Sequence, residues 1–132
     1  MKEAIKYNAT PEVEQVIGQW LSWLKNERRY SQHTLDAYGR DLAFFINFYG
    51  DKTPVTLDFL QHMEVYDFRR FISYRAARHI EKSSLAREMS AFKNFFKWLD
   101  RMKILRNTAV SVLSTPKQPK VLPKSIEADD IQ

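Results

Sequence analysis

Between residues 85 and 99 the apolar side chains Leu85, Met89, Phe92, Phe96 and Leu99 recur at alternating intervals of four and three residues. Only an α-helix brings such a series onto one side, because 3.6 residues per turn stack i, i+3, i+4 and i+7, whereas a strand alternates every second residue. The same period governs most of the chain. Val13, Val16, Ile17, Trp20, Leu21 and Leu24 predict a helix that starts near Pro11, a residue suited to a first turn, and ends around Glu27 to Arg29. Leu35, Tyr38, Leu42, Phe45, Ile46 and Tyr49 predict a second, capped by Ser31 and stopped by Gly50.

After the turn-forming DKTP of residues 51–54, Thr56 or Asp58 can cap a short turn around Phe59 and Leu60. A third long helix is expected from about Glu64 to Arg78, burying Phe68, Phe71 and Ile72. In the fourth, Ser83 or Ser84 is the expected cap, and Phe95 and Met102 widen the apolar face. A last short helix starting at Asn107 carries Ala109, Val110 and Val112 and packs back on the rest. With three glycines in 132 residues and no competing strand pattern, the fold class is all-α, a compact bundle of four to five helices. Trp20, Leu42, Phe92 and Phe96 are its expected core. Trp20, Trp23, Phe44, Phe45, Phe95, Phe96 and Trp98 fall at helical spacing and read as core rather than as stacking platforms.

The helical texture stops near residue 114. TPKQPKVLPK, with three prolines and three lysines, reads as a linker over residues 115–125. SIEADDIQ then reads as a serine cap followed by acids in a first helical turn, so residues 126–132 look like the start of a further, C-terminal domain.

Several kinds of chemistry are excluded by the residues the chain lacks. Without cysteine there is no disulfide framework, thiol nucleophile or zinc–thiolate site. His33, His62 and His79 are too few and too scattered for a metal site, and no cofactor is expected. Charged residues occupy the N-terminus where a signal peptide is apolar, and no apolar run is long enough to span a membrane, so the expected location is the cytoplasm. No phosphate-cradling glycine loop, nucleophile elbow or pair of catalytic carboxylates is present.

The formal net charge of +5 is unevenly spread, with fourteen Lys/Arg against four Asp/Glu between residues 65 and 124. Such a basic block in a folded chain points first to nucleic acid, then to an anionic membrane surface or an acidic protein. In the fourth long helix, Arg87, Ser90, Asn94, Lys97 and Arg101 form a stripe opposite the apolar face, flanked by Lys93 and preceded by Ser83 and Ser84. A helix with an apolar back and a basic, hydrogen-bonding front has the dimensions of the DNA major groove. Arg29, Ser31, Gln32, His33, Thr34 and Arg40 repeat the theme around the start of the second helix, and Lys117, Lys120 and Lys124 extend it into the linker. Arg69, Arg70, Arg75 and Arg78 thicken the block. If Arg87 is a plain surface residue, its truncation should change stability by no more than about 0.5 kcal/mol.

Three stretches resemble one protein family. RRYSQHTLDAYGRDLAFFINF resembles the S-x-x-T-L-x-x-Y-x-x-D-L-x-x-F opening of tyrosine recombinases of the Xer and phage-integrase kind, through Ser31, Thr34, Leu35, Tyr38, Asp41, Leu42 and Phe45. SSLAREMSAFKNFFKWLDR is similar to the family's S-x-x-R-x-L-S-A-L-R-x-F-F-x-W-L helix, through Ser84, Arg87, Ser90, Ala91, Lys93, Phe95, Phe96, Trp98 and Leu99. NTAVSVLSTPKQPKVLPKSI is similar to the N-P-A…P-K-x…L-P-K passage between the two recombinase domains. Met89, Lys93 and Thr108 depart from the usual leucine, arginine and proline, and Lys93 lacks the bidentate reach of an arginine. VYDFRRFISYRAARH resembles the third helix of the XerC-like branch more than the XerD-like one.

The resemblance implies a SAM-like core-binding domain, the N-terminal half of a C-shaped clamp on double-stranded recombination-site DNA. The family's tyrosine nucleophile, with its arginines, lysine and histidines, would lie in a C-terminal domain beginning around Leu122. Three residues beyond His33, His62 and His79 stand Asp36, Val65 and Lys82, so the family's histidine–arginine step is absent here and the stretch itself is expected only to bind. The resemblance further implies a parent that acts with a XerD-like recombinase in a tetrameric synaptic complex, resolving chromosome dimers at cell division. The alternatives are a phage or transposon integrase of the same family, a basic helical protein-interaction module, or a peripheral membrane binder.

Overall fold

The computed structural model describes residues 4–113. Five α-helices follow one another: α1 Pro11–Asn26, α2 Gln32–Tyr49, α3 Leu57–His62, α4 Val65–Ala77 and α5 Lys82–Arg101, with a closing 3₁₀ turn at Ala109–Val112. Among the described residues no helix is long and apolar enough to cross a membrane, and no cluster of His, Asp and Glu is suited to a metal ion.

Local chemistry sets most boundaries. The Thr10 hydroxyl accepts from Val13 N (3.4 Å) ahead of Pro11, and Glu12 and Glu14 sit in the first turn where the helix dipole favours acids. Ser31 Oγ accepts from Thr34 N (3.2 Å), and Gly50 ends α2. Thr56, not Asp58, caps α3, its hydroxyl accepting from Phe59 N (3.0 Å). Asp67 accepts from Glu64 N (2.8 Å) at the start of α4. The expected serine cap of α5 is not formed. Its first helical bond runs from Leu85 N to Glu81 O (3.0 Å), which places Ser83 and Ser84 inside the first turn.

Before α1 the chain pairs in parallel with the segment ahead of α3: Thr10 N donates to Val55 O and Val55 N to Asn8 O, both 3.0 Å. Gly50 makes this close approach possible, because a Cβ there would lie 2.3 Å from the Asn8 carbonyl oxygen. Three basic residues that follow helix ends, Arg29, His79 and Lys103, take the left-handed conformation usually left to glycine, with φ of 57°, 60° and 60°.

The core is aromatic. Phe45 stacks on Phe92 with ring centroids 4.6 Å apart and meets Phe68, Phe71 and Phe96, so one α2 side chain ties α4 and α5 together. Trp20, Leu42, Phe92 and Phe96 are all buried, as the periodicity requires. Five apolar expectations fail in detail. Ile72, next to Phe71 at the edge of the α4 apolar face, is only partly buried. Met102 lies beyond the end of α5, where the helix no longer carries its side onto the bundle, and is exposed. The last short helix is a 3₁₀ turn that buries Val110 and leaves Val112 in solvent. Trp23 is only partly buried, and Phe44 is 46% exposed because it sits on the solvent side of α2 under the Arg75 guanidinium, 4.1 Å from its ring.

The last described segment is anchored twice. The buried Asn107 amide donates to Leu60 O (2.8 Å) and Met63 O (3.0 Å) while its oxygen accepts from Val110 N (3.2 Å). Lys93 Nζ donates to Leu113 O (2.8 Å). The expected linker over 115–125 and the further domain start over 126–132 lie outside the described residues.

Candidate nucleic-acid interface

α5 presents Ser83, Arg87, Ser90, Lys97 and Arg101 to solvent on one side, while Leu85, Met89, Phe92, Phe96 and Leu99 are buried on the other. Asn94 lies at the edge of this stripe, half-buried, its Oδ1 accepting from the indole N–H of buried Trp20 (2.9 Å). Lys93 is likewise half-buried, its ammonium donating to the Leu113 carbonyl (2.8 Å). Ser84 is half-buried in the first turn.

Around the start of α2 the residues play different parts. Ser31 is the cap and also donates to Thr34 Oγ1 (3.0 Å), and Gln32 Nε2 donates to Asp36 Oδ1 (2.8 Å). His33 is exposed, and Arg29 stands in the left-handed turn just before the cap. Arg28, from the same turn, lies over Trp23 (5.7 Å), and Arg101 of α5 lies over that ring as well (5.9 Å). The two guanidiniums join the end of the α5 stripe to the α1–α2 turn. Arg40 lies elsewhere on α2, lining an open groove with Phe44, Arg70, Tyr74, Arg75 and Arg78. Lys117, Lys120 and Lys124 lie outside the described residues.

Two buried acids, missing from the candidates read off the sequence, reorganise the arginines. Asp41 is 1% exposed and accepts from Arg87 Nε (2.8 Å) and Nη2 (3.0 Å), whereas the Arg87 side chain remains 48% exposed. Glu88 is 3% exposed and accepts from Arg75 Nε and Nη2, both at 2.8 Å. Arg75 therefore belongs to a buried ion pair and adds little to the solvated block. Both arginines are held above the ordinary arginine pKa, first by these hydrogen bonds and further by the carboxylate charges, against an opposing pull from burial. The sequence carried one sign of this. Asp41 falls four residues before Phe45, and Glu88 three after Leu85 and four before Phe92, so both occupy apolar-face positions where an acid survives only if paired.

The resulting surface is a basic stripe on one rigid helix, bounded by a basic turn and fixed from beneath by a buried carboxylate. It offers hydrogen-bond donors to anions and carries no nucleophile–base grouping.

The family model for the phage integrase, N-terminal SAM-like domain, matches residues 17–103. Among curated proteins, the chain is 32% identical over 122 residues to "Tyrosine recombinase XerC" of Rickettsia bellii (strain OSU 85-389), covering 91% of this chain and 40% of the relative. It is 33% identical over 129 residues to the protein of the same name in Rhodospirillum centenum (strain ATCC 51521 / SW), covering 96% and 38%. The chain thus spans about two fifths of the length of these relatives. No solved structure matches it.

Proposed function

Because this chain belongs to the family of phage integrase N-terminal SAM-like domains, we propose that it is a core-binding domain that grips duplex DNA for a site-specific tyrosine recombinase of the XerC kind. The observation that carries this reading is the exposed α5 stripe of Ser83, Arg87, Ser90, Lys97 and Arg101, a donor-rich helix face backed by a rigid core. Arg29 of the α1–α2 turn, with His33 and Thr34 in the first turn of α2, supplies flanking backbone contacts, and Lys117, Lys120 and Lys124 add cations for further phosphates. The parent protein breaks and rejoins DNA with a tyrosine nucleophile held in a domain C-terminal to this one, pairs with a XerD-like recombinase in a tetrameric synapse on a double-stranded recombination site, and resolves chromosome dimers at cell division in the cytoplasm.

Fluorescence anisotropy with labelled duplex across a salt titration tests the DNA reading. The expected result is binding in the range of about 10⁻⁴–10⁻⁶ M at physiological salt, weakening steeply as salt rises. Affinity that is flat in salt, or binding to anionic phospholipid vesicles but not to duplex, would replace DNA by a protein or membrane partner.

A further inference from the structure

An arginine carries five N–H donors in a flat fork. In Arg87 the inner edge is taken, Nε and one Nη2 proton being given to Asp41 at 2.8 and 3.0 Å. The two Nη1 protons and the second Nη2 proton remain, and one Nη1 proton lies parallel to that Nη2 proton at the outer end of the guanidinium. Two parallel N–H groups at that end match the O6 and N7 acceptors that guanine shows in the major groove. We propose that Asp41 is a positioning residue that locks Arg87 with this outer end directed away from the bundle, so that Arg87 reads a guanine edge. The proposal rests on the duplex-DNA reading above and deepens it.

Three observations favour a base over a phosphate. Asp41 is buried in α2 while Arg87 stands on α5, so the pair fixes the fork relative to two helices before any ligand arrives, and the side-chain entropy is already lost. The pair also places a negative charge beneath the stripe, which weakens attraction to phosphates and leaves the direction of the fork as what Arg87 offers a ligand. Finally, Arg87 sits more than a turn inside α5, between the exposed hydroxyls of Ser83 and Ser90, and not at the helix N-terminus where phosphates gather.

The test selects duplexes for the chain from a random-sequence library, then measures binding to the selected duplex with each G·C pair changed to A·T, or each guanine to 7-deazaguanine. For the wild-type chain one G·C position should discriminate by about 5- to 150-fold, the range of a bidentate contact. Asp41→Ala and Arg87→Ala should each abolish discrimination at that position alone, and Arg87→Lys, which keeps the charge but loses the fork, should reduce it. Asp41→Ala should not weaken binding to random duplex, and in an Arg87→Ala background it should change nothing at that position. Circular dichroism confirms folding of each variant, and Asp41→Asn, which keeps the shape, stands in if the alanine variant unfolds. A selection without a preferred guanine overturns the proposal. So does an Arg87→Ala variant that weakens all duplexes alike with the salt slope reduced by about one, which makes the contact a phosphate and leaves the DNA reading intact. A wild-type chain that binds no duplex overturns the DNA reading itself.

Discussion

Arg75 of α4 and Glu88 of α5 form a two-pronged pair in which the carboxylate is 3% and the guanidinium 12% exposed. It is a link between two helices that otherwise meet through phenylalanines. Removing one partner strands the other, so Arg75→Ala should lower unfolding free energy by about 3–5 kcal/mol in urea denaturation. The double replacement Arg75→Met, Glu88→Leu should cost much less, because no charge is left buried.

Arg87 differs from an ordinary surface arginine for the same reason. Its truncation leaves the buried Asp41 carboxylate without its two donors, and should cost about 1–3 kcal/mol rather than the negligible amount expected of a solvated side chain. Chemical denaturation of Arg87→Ala beside Lys97→Ala, an exposed neighbour on the same stripe, measures the contrast.

Phe96 contacts Phe45, Phe68 and Phe95 and is 2% exposed. Phe96→Ala should cost about 3–5 kcal/mol. A loss below about 1 kcal/mol would remove it from the core.

His79 and Lys103 hold left-handed backbone without being glycine. Replacing either by glycine relieves a penalty of about 1–2 kcal/mol and adds an entropic cost of about 0.5–1 kcal/mol. Each variant should therefore be more stable by up to about 1.5 kcal/mol, read as a rise in melting temperature.

Tyr7 donates its hydroxyl to the Gly39 carbonyl (2.9 Å), and burial pushes its pKa up to about 12. A raised phenol pKa favours the neutral folded form, so its contribution is complete below the unfolded value of about 10 and is lost as pH rises toward 12. Stability should fall across that window, and Tyr7→Phe should flatten part of the fall relative to wild type in pH-dependent denaturation.

The sequence revealed helices more readily than it revealed charges. Helix period, the Ser31 cap and the Gly50 stop are properties of neighbours along the chain, and α1 and α2 form within a few residues of where they are read. The partners of Arg87 and Arg75 lie 46 and 13 residues away, and pairing at that range depends on how α2, α4 and α5 cross. Asp41 and Arg87 belong to two separate stretches of the family likeness, yet nothing local links them. The α5 cap was misplaced because the first helical bond is accepted by the Glu81 carbonyl, so the helix begins before its serines. The α5 stripe was legible because an amphipathic helix leaves its polar side outward by default.

Asn107 and Lys93 give the end of the described chain a mechanical character. With the Leu113 carbonyl tethered to Lys93 in the middle of α5, and Asn107 clasped to the α3–α4 junction, tension at Leu113 is delivered into the bundle as shear across several anchors. It does not peel α5 away from its free end one turn at a time. Load arriving at Leu113 therefore reaches α5 through Lys93, near the middle of the stripe, and reaches the α3–α4 junction through Asn107.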